Sequence, residues 1–252
     1  IDKNKTISYD TVIKNIQEIA SCMKTDCRTD CSFSFILNDS LKDYREFLLK
    51  HSAPPISIAR HTAISSGGSP SPCVYFLLDG LVKVSVLNVH GYERILGYHR
   101  KNSLFVMDGL RQNSSVVVTT TALTPLSVLQ LSAQDLTGLF RKNPQFATDL
   151  LLYYSDVLKL MCYDAESQSS NSVLSKLANF IVLYMQSEDY HALGYLPFSQ
   201  SELASAIGAS RVQVSRVCSA LRKEGAVEIQ KKKLRILTPA RFQSLVSFHG
   251  FE

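Results

Sequence analysis

The spacing of apolar positions changes twice along the chain. Near the start, Val12, Ile13, Ile16, Ile19 and Ala20 recur at helical spacing over residues 11–23, and residues 41–49 make a second short helical candidate. From about Pro54 the period drops to two. Strands are predicted at 74–78, 81–86, 94–98, 116–123 and 126–131, with turns at Asp79-Gly80, 88–91 and Pro125 between them. Many short strands at this spacing predict a small barrel or sandwich rather than a parallel α/β sheet. At Ser132 the helical period returns. Ser132 to Asp135 starts a short helix ending near Arg141, and Asn143-Pro144 opens a long one, with proline at a tolerated early position.

The long helix carries Phe146, Leu150, Tyr153, Tyr154, Val157, Leu160, Met161 and Tyr163 in a near-heptad stripe. A helix that long and that apolar needs cover on more than one side. Packing one face on the strands and another on a second copy makes a homodimer; burial within a single subunit is the alternative. The polar stretch 166–172 reads as a hinge. A helix at 173–186 and a short strand at 195–198 follow.

Residues 198–224 read as two short helices with a tight corner. The first, 200–207, opens on Ser199-Gln200-Ser201-Glu202, the spacing of a capping box. Gly208 suits a corner that needs positive φ. Ser210 caps the second helix, 211–223. Leu203, Ala204, Ile207, Val214, Val217 and Leu221 are predicted to point inward, leaving Arg211, Val212, Gln213, Ser215 and Arg216 outside or at the helix start. This is a helix-turn-helix layout, and the outward residues are of types that read base edges. A helical hairpin in a core is the plain alternative. Residues 227–230 and 234–237 flank Lys231, Lys232 and Lys233, a hairpin with a basic tip able to lie on phosphates as a wing. A last short helix is predicted at 239–246.

Charge sharpens this picture. The 252 residues carry a net charge of +5, and residues 171–252 hold ten Lys and Arg against six Asp and Glu, so the surplus sits with the helix-turn-helix. No apolar run of 18 or more residues predicts a membrane helix, and the start lacks a signal-peptide pattern, so the expected location is cytoplasmic. Six cysteines in such a chain do not predict a disulfide framework. An enzyme is not expected: there is no nucleophile elbow with a Ser-His-Asp order, no phosphate loop and no metal-type histidine pair.

A β-rich sensor, a long helix and a C-terminal winged helix-turn-helix, in that order, resemble the CRP/FNR family of bacterial transcription regulators. The motifs that carry the resemblance are Val74-Tyr75-Phe76-Leu77-Leu78-Asp79-Gly80-Leu81-Val82-Lys83-Val84 and residues 198–225. The resemblance implies an α+β fold: an N-terminal β-roll (a jelly-roll-like double-stranded β-helix) sensor over 1–142, a dimerisation helix and hinge over 143–170, and a DNA-binding domain over 171–252. It also implies a homodimer on an inverted repeat in double-stranded promoter DNA, RNA polymerase as a partner, and a signal at the sensor that alters DNA affinity. Family base-contacting positions fall on Arg211, Val212, Ser215 and Arg216. Many members have glutamate where this chain has Val212. Valine cannot accept from cytosine's amino group but can pack on a thymine methyl, so the expected half-site is richer in A/T.

The sensor departs from the family's nucleotide-binding pattern. Val106-Met107 stand where cyclic-nucleotide binders have Gly-Glu, and Ser114-Ser115-Val116-Val117 lack their Arg-Ser or Arg-Thr. Cyclic AMP is therefore not the expected effector. Some relatives hold an iron–sulfur cluster on N-terminal cysteines, and Cys22, Cys27 and Cys31 lie in the corresponding place. Their spacing differs from the common one. The region 127–130 lacks the usual fourth cysteine, so Cys73 or Cys162 would substitute. A cluster, a thiol redox switch and inert cysteines all stay open. Other relatives bind a small organic molecule between β-roll and helix, where Tyr98, Met107, Tyr153 and Tyr154 are candidate contacts. A remoter alternative is a ligand-sensing module that acts through a protein partner.

Overall fold

A computed structural model of the protein describes residues 34–111, 114–169 and 172–246. The predicted helix at 11–23 and Cys22, Cys27 and Cys31 lie outside the described residues.

Among the described residues, nine strands form two sheets. One has the order β1 (Ile36–Leu37), β6 (Glu93–His99), β5 (Val82–Leu87), β8 (Thr119–Ala122), β3 (Ala63–Ser65). The other runs β2 (Ile56–Ile58), β9 (Leu126–Ser132), β4 (Cys73–Asp79), β7 (Ser103–Phe105). Side chains alternate across a strand, and β4 uses both of its faces. Leu77 joins Val82, Phe105, Ala122 and Val128 between the sheets. Val74, Phe76 and Leu78 point the other way, into a second core with Leu129, Leu131, Leu136, Phe146, Leu150 and Tyr153. Two buried faces explain why β4 is apolar almost throughout rather than alternating.

The turn after β4 has little freedom. Gly80 has φ +111°, and a Cβ there would stand 2.7 Å from the Pro125 carbonyl oxygen and 2.5 Å from a Leu126 methyl. Only glycine meets both conditions.

Three short strands, β2, β3 and β7, and the two-residue β1 escaped the sequence pattern, because three or fewer residues give too little alternation to read. The strand predicted over 116–123 starts only at Thr119. The Asp108 carboxylate accepts from the Val117 and Val118 N–H groups at 2.7 and 3.2 Å, which engages those donors outside the ladder. The candidate at 41–49 is a 3-10 turn at Lys42–Tyr44 that leads into α1 (Arg45–His51).

Helix α2 (Ala133–Lys142) opens on a capping box between Ser132 and Asp135. Helix α3 (Pro144–Ser169) is 26 residues long and runs into the stretch read as a hinge. Residues 166–169 stay helical because Ser167 is buried and its hydroxyl accepts from Asn179 Nδ2 at 3.1 Å, a contact that sequence spacing does not reveal. Helix α4 (Val173–Met185) follows its cap, Ser172.

The unpredicted α5 (Glu188–Leu193) starts at the Ser187 cap and stops at Gly194, which has φ 72°. The strand expected at 195–198 is reduced to one bridge, Leu196 to Leu234, bonded in both directions at 2.8 and 3.0 Å. Pro197 has no N–H to extend it. Helices α6 (Gln200–Ile207) and α7 (Arg211–Lys223) and strands β10 (Val227–Gln230) and β11 (Lys233–Ile236) complete the reader, with α8 (Pro239–Gln243) shorter than expected.

Replacing Gly80 by alanine places a side chain against the Pro125 backbone in a left-handed conformation. It should lower stability by about 1–3 kcal/mol in a denaturant titration, with the m-value unchanged.

Candidate DNA-reading surface and sensor cavity

Both helices of the reader begin in a reciprocal cap. Ser199 Oγ accepts from the Glu202 N–H at 3.2 Å while Glu202 Oε2 accepts from the Ser199 N–H at 2.7 Å. Ser210 Oγ accepts from the Gln213 N–H at 3.2 Å while Gln213 Oε1 accepts from the Ser210 N–H at 2.9 Å. Such caps satisfy donors that a helix start leaves open. Gly208 turns the corner with φ 63°. Leu203, Ala204, Ile207, Val214 and Leu221 are buried as expected, but Val217 is only half-buried and Cys218 takes the inner position.

The outer face of α7 is open. Arg211, Val212 and Arg216 are exposed, Val212 at 60%. Neither arginine makes an ion pair or side-chain hydrogen bond among the described residues, so both guanidinium groups are available to phosphates or guanine edges. The other candidates are more committed. Gln213 spends its carbonyl on the cap, Ser215 is half-buried, and Ser199 and Gln200 are half-buried at the start of α6. Ser210 is exposed, with its hydroxyl in the cap. In the hairpin, Lys231 and Lys232 form the exposed tip, Lys231 with φ 52°. Lys233 belongs to β11, with its ammonium 4.7 Å from the Tyr195 ring centre. The basic tip is thus two lysines rather than three, because pairing of Gln230 with Lys233 leaves a two-residue turn.

The reader packs on the sensor through α6 and β6. Phe35 sits at the centre. Its ring meets those of Tyr98, Phe180 and Phe198 edge-on, at centroid separations of 5.6, 4.8 and 6.4 Å. Polar links surround this cluster. Arg94 pairs with Asp164 on α3, and Arg100 donates to Asp189 on α5 at 2.5 Å. A Cβ on Gly208 would lie 2.8 Å from Gln168 Oε1 and 3.6 Å from Arg94 Nη1, so the corner of the helix-turn-helix abuts the end of α3.

A cavity of about 220 Å³ lies between β-roll and α3. All four candidate contacts, Tyr98, Met107, Tyr153 and Tyr154, line it, with Phe35, Leu104 and Leu160 among its apolar walls. Sequence spacing did not point to His99, which also lines it. Burial pushes the His99 imidazole down to about 4 and lifts the Tyr154 phenol well above its ordinary value. Val106 is buried in the left-handed region at φ 65°. Asp108, two residues on, directs a carboxylate at two backbone N–H groups.

Cys73 opens β4, where its sulfur accepts from Gln130 Nε2 at 3.2 Å, and Cys162 is exposed on α3. Among the described residues no group of three or more His, Cys, Asp or Glu is placed to hold a metal. No helix among them is long and apolar enough to cross a membrane.

A β-roll joined by a long helix to a winged helix-turn-helix is the architecture of a DNA-binding regulator with a sensor domain. Residues 55–143 match the cyclic nucleotide-binding domain and residues 175–245 the Crp-like helix-turn-helix domain. The chain belongs to the CRP/FNR family of transcription regulators. It is 28% identical over 194 residues to the global nitrogen regulator of Nostoc sp., an alignment covering 74% of this chain and 87% of that protein. It is 24% identical over 225 residues to the transcriptional activator protein FnrA of Stutzerimonas stutzeri, covering 82% and 87%. Its fold is similar to that of the c-di-GMP responsive regulator CLP of Xanthomonas campestris, with TM-score 0.68 and 20% identity over 78% of this chain and 99% of that one.

The depressed His99 value has a signed consequence. The unfolded imidazole titrates near 6.5, so the folded state's advantage is complete above that pH and is lost as pH falls towards 4. Across that window the wild type should lose roughly 2–3 kcal/mol more stability than His99→Gln, read by denaturant titrations at stepped pH.

Proposed function

We propose that the protein is a homodimeric regulator that reads an inverted repeat in promoter DNA with α7 and is controlled by a small organic molecule in the cavity between β-roll and α3. The observation that carries the reading is the exposed face of α7, where Arg211, Val212 and Arg216 are exposed and neither arginine is paired among the described residues. Lys231 and Lys232 add phosphate contacts from the hairpin.

The dimer is supported by the two faces of α3. Phe146, Leu150, Tyr153 and Leu160 are buried within the subunit, whereas Leu151 and Leu158, seven residues apart, are 73% and 64% exposed. With Tyr154 and Met161 they follow a heptad, the spacing a second copy of the helix covers. Two-fold symmetry in the protein then sets two-fold symmetry in the site.

Control by the cavity has a route to the reader. Phe35 and Tyr98 line the cavity and also grip Phe198, the residue before the α6 cap. A molecule that shifts those rings changes how the reader is held. Cyclic AMP is a poor candidate, because the stretch that would receive its ribose and phosphate carries Val106, Met107 and the Asp108 carboxylate.

Selection from random duplex DNA tests the reading. The wild type should recover an inverted repeat, with affinity falling as salt rises. Val212→Glu should move the preference at one base step per half-site by about 1–3 kcal/mol, towards cytosine and away from thymine; one identical half-site from both proteins would count against the role of Val212. No preferred sequence at all would favour a module that acts through a protein partner. Leu158→Glu should give a monomer by analytical ultracentrifugation, with loss of tight binding to the full repeat while the thermal unfolding of the β-roll stays cooperative.

A further inference from the structure

The cavity carries one polar group whose bonding state the surrounding hydrogen bonds determine. His99 is only 9% exposed, and its ring borders the cavity. Its Nδ1 lies 3.2 Å from Ser103 Oγ and 3.4 Å from the Tyr153 hydroxyl oxygen. Each hydroxyl has one proton, and both protons are directed elsewhere. Ser103 donates to the Arg100 carbonyl at 2.6 Å, and Tyr153 donates to the Leu104 carbonyl at 2.8 Å. Neither is left to give a proton to the imidazole, so Nδ1 must be the donor and the two oxygens its acceptors. The buried ring is neutral near pH 7. In a neutral ring with the proton on Nδ1, Nε2 is an acceptor. Nε2 has no hydrogen-bond partner among the described residues.

The rest of the lining restricts what can meet that acceptor. Among the described residues no lysine or arginine lines the cavity, so an anion would find no counter-charge there. Asp108, the one charged lining residue among those described, is exposed and carries a carboxylate that repels anions. Most of the remaining wall is aliphatic or aromatic. A cavity of about 150 Å³ holds benzene, so about 220 Å³ admits a ring with one or two small substituents, or an aliphatic of like size.

We propose that the cavity takes a small, neutral, largely apolar molecule with one O–H or N–H donor, which His99 Nε2 receives. This rests on the reading of the cavity as the effector site. It makes His99 a specificity residue: a buried acceptor left unmatched penalises ligands of the same shape that lack the donor.

Calorimetric titration with two isomers tests it. 4-Ethylphenol and 4-methylanisole have the same atoms and nearly the same volume, but only the phenol has a donor. The full-length wild type should bind the phenol about tenfold more tightly, and 4-methylbenzoate, an anion at neutral pH, more weakly than either. His99→Phe keeps a ring and removes the acceptor, so the two isomers should then bind alike. Equal binding of the isomers by the wild type overturns the role of His99 and leaves the cavity as a ligand site; the wild-type comparison decides this even if the variant folds poorly. A phenol preference that survives in a folded His99→Phe overturns it too. If the wild type binds neither isomer, the effector reading of the cavity falls with the inference, while the DNA-reading surface is judged by the selection experiment alone.

Discussion

The Phe35 ring holds the halves of this protein together. It is buried where the edge strand β1 meets β6, and it touches Tyr98 of the sensor, Phe180 of α4 and Phe198 at the entrance to the helix-turn-helix. Edge-to-face rings of this kind contribute about 0.5–1.5 kcal/mol per pair beyond the area they bury. The larger consequence is geometric. The same ring is a wall of the cavity, so the contact that seats the reader and the cavity surface are two sides of one side chain. The control proposed for the cavity runs through this cluster, which is close-packed and does not deform smoothly.

The polar contacts around the cluster make the docking directional. Arg94 ties β6 to Asp164 near the end of α3, and Arg100, the residue after that strand, pairs with Asp189 on α5. Asp164 is sufficiently buried that desolvation raises its carboxyl above the ordinary value, in opposition to Arg94. A desolvated pair of this kind specifies an arrangement more than it adds stability. The end of α3 therefore carries three relations at once: to the β-roll through Arg94, to α4 through the Ser167–Asn179 bond, and to the corner of the reader through Gln168.

The loop at 106–108 combines an unusual backbone conformation with hydrogen bonds of its own. Val106 holds a left-handed conformation that a β-branched residue rarely adopts. Its side chain is buried in the core between the sheets, so packing offsets the backbone strain. Asp108 supplies a carboxylate to backbone N–H groups, the kind of donors that bind anions elsewhere. The loop satisfies itself with negative charge, and what remains beneath it is an apolar cavity with one neutral imidazole.

The helix-turn-helix was legible from residue order because its determinants are local: two reciprocal caps three residues apart, one corner glycine and an apolar face of helical period. Long strands and the long helix were legible for the same reason. Where α3 ends was not, because Ser167 is polar in sequence and buried in space. The shortened strand at 119–122 depended on a carboxylate from another turn, and the two-lysine tip on strand register. By itself the sequence determined the class of fold and which residues of α7 stay exposed, since these follow from local period and residue type. Only the tertiary structure decided that Tyr98, Met107, Tyr153 and Tyr154 share one cavity and that His99 stands in it. It also placed Phe35 between that cavity and the reader. Each depends on residues far apart in the chain meeting at a few ångströms, and on the count of protons among neighbours that no local pattern contains.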